Sequence, residues 1–143
     1  MTDSNEDSYF DRDRIHIVVT DIANKDSVSA AFKVIKSNIR KVDILNANAG
    51  IISQLCLLAE STIEEWYKDF DVNVKGNFNL IKEFLPIAAP KAVGINISAG
   101  MAHLKHYAKS LSYHASKLAA IKIFDYLHYK NPDLFVIHIH PGI

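Results

Sequence analysis

Glycine is scarce in this 143-residue chain: Gly50, Gly76, Gly94, Gly100 and Gly142 are all it has. None of them forms a Gly-x-x-x-Gly-x-Gly cluster after a strand, the arrangement in which backbone N–H groups close around a phosphate at a helix N-terminus. Cysteine is scarcer. Cys56 stands alone, so no intrachain disulfide can form, which suits a reducing compartment. Its apolar setting, Leu55-Cys56-Leu57-Leu58, reads as a small buried hydrophobe. No apolar run approaches the roughly 18 residues of a membrane span. Met1 to Asp7 are polar and acidic, without the basic start and apolar centre of a secretion signal. Charge of either sign is not in excess: 16 basic side chains balance 16 acidic ones. Without a basic stripe, nucleic acid is a poor partner. The expectation is a cytoplasmic protein that crosses no membrane.

Apolar residues make up 49% of the chain, enough for a packed core, and the length suits one domain. Met1 to Arg14 is charged and aperiodic and reads as a flexible leader, with the domain proper at 15–143. Ile15-His16-Ile17-Val18-Val19 reads as a buried strand. Asn24 or Asp26 can cap a helix over about 26–39, with Val28, Ala31, Phe32, Ile35 and Ile39 on one face. Val42 to Leu45 is a second strand, leading into Asn46-Ala47-Asn48-Ala49-Gly50. Ser61-Thr62-Ile63-Glu64 matches a capping box and opens a long helix that stops near Pro86. Ala92 to Ile97 is a third strand, Ser112 to about Tyr129 a helix, and Leu134 to His140 a fourth strand. This alternation of strands and helices predicts an α/β fold with helices on both faces of a parallel sheet.

The strongest chemical signal is Tyr113-His114-Ala115-Ser116-Lys117. Residues i and i+4 share a helix face, so Tyr113 and Lys117 project together. A nearby ammonium favours the phenolate and turns tyrosine, with an ordinary pKa of about 10, into a usable proton donor or acceptor. Around the pair stand Asn48-Ala49-Gly50 after a strand, Asn73 in the long helix, Ser98 at a strand end, and Pro141-Gly142 after the last strand. Histidine offers less. His138 and His140 share a strand face and His103 and His106 share a loop, but neither pair has a third ligand for zinc. Trp66 reads as core or helix contact, and Lys105, Lys109 and Lys122 as solvated surface.

Taken in order, these elements resemble the short-chain dehydrogenase/reductase family, over nearly everything after Arg14. The resemblance implies an incomplete Rossmann-like domain: a doubly wound parallel sheet in a three-layer αβα arrangement. It implies an NAD- or NADP-dependent oxidoreductase acting on a small-molecule carbonyl or secondary alcohol. Tyr113 is then the general acid or base. Lys117 lowers its pKa and holds the nicotinamide ribose, and Asn73 helps hold a water that relays protons from Lys117. Asp21 meets the adenine amine, Asn48, Ala49 and Gly50 line the adenine ribose, and Pro141, Gly142 and Ile143 face the nicotinamide. Ser98 orients the substrate carbonyl. The family often has a second hydroxyl residue beside it, and here that place is Ala99. Either Ser98 does this work after a local shift, or the carbonyl has lost a donor. The resemblance also implies a homo-oligomer through the two long helices.

By the same resemblance the family's first two strands and the glycine-rich turn between them and their helices are absent from these residues. The strand at Ile15 then lacks a partner, the strand at Val42 becomes an edge, and only the strands at Val42, Ala92 and Leu134 form a contiguous sheet. Two rival functions are a catalytically silent chain that packs on a partner, and an isomerase or dehydratase on the same scaffold.

Overall fold

The computed structural model describes residues 15–53, 55–102 and 109–142. The expected leader, His103, Lys105, His106 and Ile143 lie outside the described residues. Three strands, β1 (Val42–Ala47), β2 (Ala88–Ile97) and β3 (Phe135–Ile139), form one parallel sheet in the order β1-β2-β3. It is the contiguous trio expected from the sequence, with β1 at one edge. Among the described residues four α-helices accompany it: α1 (Lys25–Asn38), α2 (Ile63–Phe70), α3 (Asn77–Phe84) and α4 (Leu111–Lys130).

Local chemistry sets the helix ends. The Asn24 side chain accepts from the N–H groups of Asp26 and Ser27, at 2.9 and 3.2 Å, and caps α1. The capping residue of α2 is Thr62, whose hydroxyl accepts from Glu65 N–H at 3.2 Å. The cap therefore sits one residue later than Ser61. The Ser61 N–H already serves the carbonyls of Leu57 and Leu58, and Thr62-Ile63-Glu64-Glu65 fits the same pattern. The single long helix expected here is not uniform. Between α2 and α3, Asp71–Gly76 is π-helical, a widened turn typical of functional sites. The Asn77 side-chain amide donates to the Asn73 carbonyl at 2.6 Å and satisfies a main-chain acceptor within this turn. Pro86 ends the run in the 3-10 turn Leu85–Ile87.

The core lies on one face of the sheet. Val28 and Phe32 of α1, Ile81 and Phe84 of α3, and Phe124 and Leu127 of α4 meet Ala47, Ala89 and Ala92 in one cluster. Phe84 and Phe124 are fully buried, and truncating either to Ala costs about 3–5 kcal/mol. Strand register puts Ile44, Val93, Phe135, Ile95, Ile137, Ile97 and Ile139 on the opposite face. There the described helices give no cover: Ile44 is 58% exposed and Phe135 55%. Helices on both faces were expected, and the described residues supply one helical layer.

Residues Ile15 to Val19 do not form the expected strand. Ile17 is 88% exposed and Val19 97%. β-Branched residues favour a pleated, half-buried surface, but a strand needs a neighbour to pair with. A cavity of about 300 Å³, bordered by His16, Val18, Phe32 and Leu45, lies between this segment and β1.

Candidate active site

All three strands are parallel, so the segments that come after them gather at one edge of the sheet. Asn48 to Gly50 come after β1, Ser98 after β2, and Pro141 and Gly142 after β3. This carboxyl edge is where open α/β sheets bind ligands. The start of α4 delivers Tyr113 and Lys117 to the same place. The Lys117 ammonium lies 5.7 Å from the Tyr113 ring centroid. It is buried and donates to the Ile97 carbonyl at 2.9 Å, tying α4 to the residue just before Ser98. Burial pushes the Lys117 pKa down.

Ser98 continues the ladder through its N–H, which donates to Ile139 O at 2.8 Å. Its hydroxyl is buried and has no hydrogen-bond partner among the described residues. Leaving a buried hydroxyl unpaired costs about 1–3 kcal/mol, so a polar group belongs beside it. The next turn is held by His140, whose Nδ1 accepts from Gly100 N–H at 2.9 Å.

Asn73 is fully buried in the π-helical turn. Its amide nitrogen donates to Ile51 O (2.8 Å) and to the Ser116 hydroxyl (3.0 Å), and its oxygen accepts from Ile51 N–H at 2.9 Å. It thereby clamps the loop after β1 against α4. A Cβ at Gly50 would stand 3.0 Å from the Asn73 side-chain oxygen and 3.2 Å from the Lys117 ammonium. Glycine is the residue that lets these three groups meet. One turn earlier Asp69, 2% exposed, accepts from Ser53 N–H at 2.7 Å. Nothing in the sequence marked Asp69, because a lone Asp in a helix reads as a solvated face.

Tyr113 departs from expectation. Its phenol is pushed above the ordinary tyrosine value, first by burial and then by the charge of Asp69. The Lys117 nitrogen is engaged with Ile97 and lies by the ring face, so it does not reverse that direction. Tyr113, Asp69, Trp66 and Cys56 border a narrow cavity of about 20 Å³, room for one water. Cys56 is thus half-buried at a cavity wall, not sealed in a core.

The Asp21 carboxylate accepts from Ala23 N–H at 2.9 Å within its own turn. Asn48, Ala49, Pro141 and Gly142 are exposed. Gly142 has φ +107°, a conformation that favours glycine. His138 and His140 do not act together: His138 meets Asn96 and Asp125, while His140 holds Gly100. Among the described residues no three His, Cys, Asp or Glu side chains group to hold a metal, and no helix is long and apolar enough to cross a membrane.

A parallel sheet whose strands are joined through helices packed on one face defines a Rossmann-like α/β protein. A family model described as short chain dehydrogenase matches residues 5–143, and the chain belongs to that family. A short chain dehydrogenase of Penicillium aethiopicum is 30% identical over 135 residues, covering 88% of this chain and 54% of the relative. The chain thus spans about half of that relative's length. A blue fluorescent protein from a metagenomic library, solved with NADPH, superposes with a TM-score of 0.79 at 26% identity, covering 86% of this chain and 50% of its own. A short chain dehydrogenase/reductase of Burkholderia phymatum, solved with NAD, gives 0.75 at 25% identity, covering 83% and 44%.

Proposed function

We propose that residues 15–143 form the catalytic part of an NAD- or NADP-dependent oxidoreductase that interconverts a small-molecule carbonyl and a secondary alcohol. The observation that carries this reading is the buried, unpartnered Ser98 hydroxyl at the strand end that Lys117 ties to the helix of Tyr113. A group with a free carbonyl oxygen fits that place. Bound at this edge, the nicotinamide supplies or accepts a hydride. In reduction the Tyr113 hydroxyl gives its proton to the carbonyl oxygen, and in oxidation its phenolate takes the proton back. Ser98 donates to the same oxygen, and Lys117 and Asn73 keep the loop at Gly50 close to the reacting groups.

Other residues fit the rest of the cofactor. Asp21 suits the adenine amine, Asn48, Ala49 and Gly50 the adenine ribose, and Pro141, Gly142 and Ile143 the nicotinamide. A pyrophosphate cradle is not supplied by any glycine cluster in these residues. A homo-oligomer through the α2–α3 run and α4 is supported by the open apolar groove, about 580 Å³, bordered by Phe78, Leu85, Ile123 and Tyr126. A cytoplasmic setting fits the lone cysteine.

One observation favours a second reading, a catalytically silent chain that packs on a partner: the uncovered apolar sheet face. Turnover decides between them. The full-length gene product is to be incubated with NADPH or NADH and a panel of ketones and aldehydes. Consumption of reduced nicotinamide that Tyr113→Phe abolishes supports the enzyme. No consumption with any carbonyl, and no reverse reaction with alcohols, overturns it.

A further inference from the structure

We propose that His140 is a positioning residue that latches the turn after Ser98, and does so only while its ring is neutral. The inference rests on the reading of this sheet edge as the active site and adds a control of its shape. Gly100 N–H donates to His140 Nδ1 at 2.9 Å. A backbone N–H can only donate, so Nδ1 must present its lone pair, and the hydrogen of the neutral ring sits on Nε2. Once the ring is protonated, both of its nitrogens are donors. Two hydrogens then face each other and the bond is lost. The ring also lies closely over Gly100, where an added Cβ would stand 2.3 Å from Nε2. Glycine lets the ring in, and the ring ties the turn Gly100–Ala102 to the end of β3.

This tie crosses the site. On one side Ser98 ends β2 with its hydroxyl buried and unpartnered, and its N–H donates to Ile139 O at 2.8 Å. On the other, His140 leads directly into Pro141 and Gly142, which the proposed function gives to the nicotinamide. Few charges bear on the ring. The stretch from Ile97 to Ala102 carries none. From α4, which packs against the turn, the titratable groups in the first two helical turns are Tyr113, His114 and Lys117, the last with its nitrogen bonded to Ile97 O. On β3 itself His138 shares the strand face of His140 but is held differently. Its Nε2 meets the Asp125 carboxylate at 3.2 Å, and its Nδ1 meets the Asn96 amide nitrogen at 3.1 Å. A carboxylate accepts from a protonated ring, and an Asn side chain can turn its oxygen towards one. Of the two histidines, His140 is the one whose partner cannot adjust. It is exposed, so protons reach it from water. Histidine is the side chain that ordinarily changes charge between about pH 5 and 8. The latch is closed at the alkaline end of that window and opens towards the acid end.

The test reads the latch itself and needs neither cofactor nor turnover, so its failure is distinct from a failure of the enzyme reading. The full-length gene product is labelled at alanine carbonyl carbons, glycine nitrogens and histidine rings, and titrated by NMR. Glycine signals coupled to a labelled carbonyl then come from Ala-Gly pairs, which in these residues are Ala49-Gly50 and Ala99-Gly100. Ala99→Ser assigns the Gly100 signal by its loss, and the His140 ring is recognised by its contact with that amide. As pH falls from about 8 to 5, the Gly100 amide proton moves upfield in step with the ring, as loss of its hydrogen bond requires, and Gly50 does not follow. His140→Asn puts a side-chain oxygen where Nδ1 stood and cannot titrate, so it keeps the amide downfield at every pH. His140→Ala leaves it upfield throughout. In turnover, the KM for the carbonyl rises several-fold along the same curve in the wild type and stays level in His140→Asn. A Gly100 amide that stays in place, or that moves out of step with the ring, overturns the proposal even if neither variant folds. So does the same movement in His140→Asn.

Discussion

The Lys117 ammonium donates to the carbonyl of Ile97, 2.9 Å away, while lying by the face of the Tyr113 ring. One side chain thus joins the end of β2 to the start of α4 and sets the distance between the strand-end serine and the tyrosine. Lys117→Ala breaks this tie. In the chain joined to a glycine-rich nucleotide-binding segment, the variant loses both turnover and cofactor affinity. Tyr113→Phe instead abolishes turnover and leaves cofactor affinity within a few-fold, because the ring keeps its packing. Steady-state kinetics and calorimetric titration separate the two patterns.

Ser98→Ala tests the orphaned hydroxyl. If that hydroxyl is aimed at a developing oxyanion, losing it costs roughly a hundredfold or more in the chemical step. It also removes a buried unsatisfied group, so thermal stability without ligand holds or rises slightly. Near-full activity with a good substrate would show that Ser98 shapes the strand end only, and that Ala99 marks a departure in mechanism.

Without added segments, the 143-residue chain binds NAD(H) and NADP(H) weakly. No cluster of glycines is present to surround a pyrophosphate, and that contact anchors the dinucleotide in Rossmann-like sheets. Calorimetry gives dissociation constants well above the micromolar range. A micromolar or tighter constant sinks the prediction.

Gly100 and His140 form a coupled pair. A Cβ at Gly100 would stand 2.3 Å from the His140 Nε2, so Gly100→Ala drives the ring aside and breaks its bond to the residue-100 N–H. The expected loss is about 1–2 kcal/mol of stability. In His140→Ala the space is open, and adding Gly100→Ala then costs less. A double-mutant cycle in urea measures the coupling, and additive effects would refute it.

Asp125 gives the acid side of the stability profile. Its hydrogen bond to Lys122, and secondarily that to His138, holds its pKa below the ordinary carboxylate value. A depressed carboxylate pKa contributes stability that is present above the unfolded value of about 4 and is lost as pH falls through the folded value. The group is nearly half exposed, so screening keeps the contribution small, about 0.5 kcal/mol or less. Asp125→Asn flattens the pH dependence of unfolding below about pH 4 and leaves stability near neutral pH almost unchanged. A steeper acid limb in the variant would contradict this.

Apolar periodicity made α1 legible, because Val28, Ala31 and Phe32 recur on one face, while a capping motif and Pro86 marked the two ends of the run that holds α2 and α3. Parallel order came from the strand and helix alternation. Residues Ile15 to Val19 were misread because their β-branched content reports a preference, while a strand is a property of two chains side by side. Amide exchange at Ile17, Val18 and Val19 is expected to be fast beside that of Ile95 in β2. Asp69 was invisible because its importance arises from a backbone N–H sixteen residues away and from a cavity wall supplied by another helix. The Tyr113–Lys117 spacing gave the pair but not the direction of its lysine, which a main-chain carbonyl captures.

The π-helical turn at Asp71–Gly76 also bears on how the helix tolerates change in length. A π turn closes its hydrogen bonds one residue further along than an α turn, so it stores one surplus residue without rotating α3 beyond it. Deleting Lys75, an exposed member of the turn paired with Asp71, can tighten it to ordinary α geometry while Ile81 and Phe84 keep facing the sheet. A deletion one turn further on, within α3, has no such slack: about 100° of rotation per residue would swing Phe84 out of the core. The same helix therefore accepts a lost residue at one point and rejects it a short way along its axis. The place of tolerance surrounds Asn73, the side chain that holds the loop after β1.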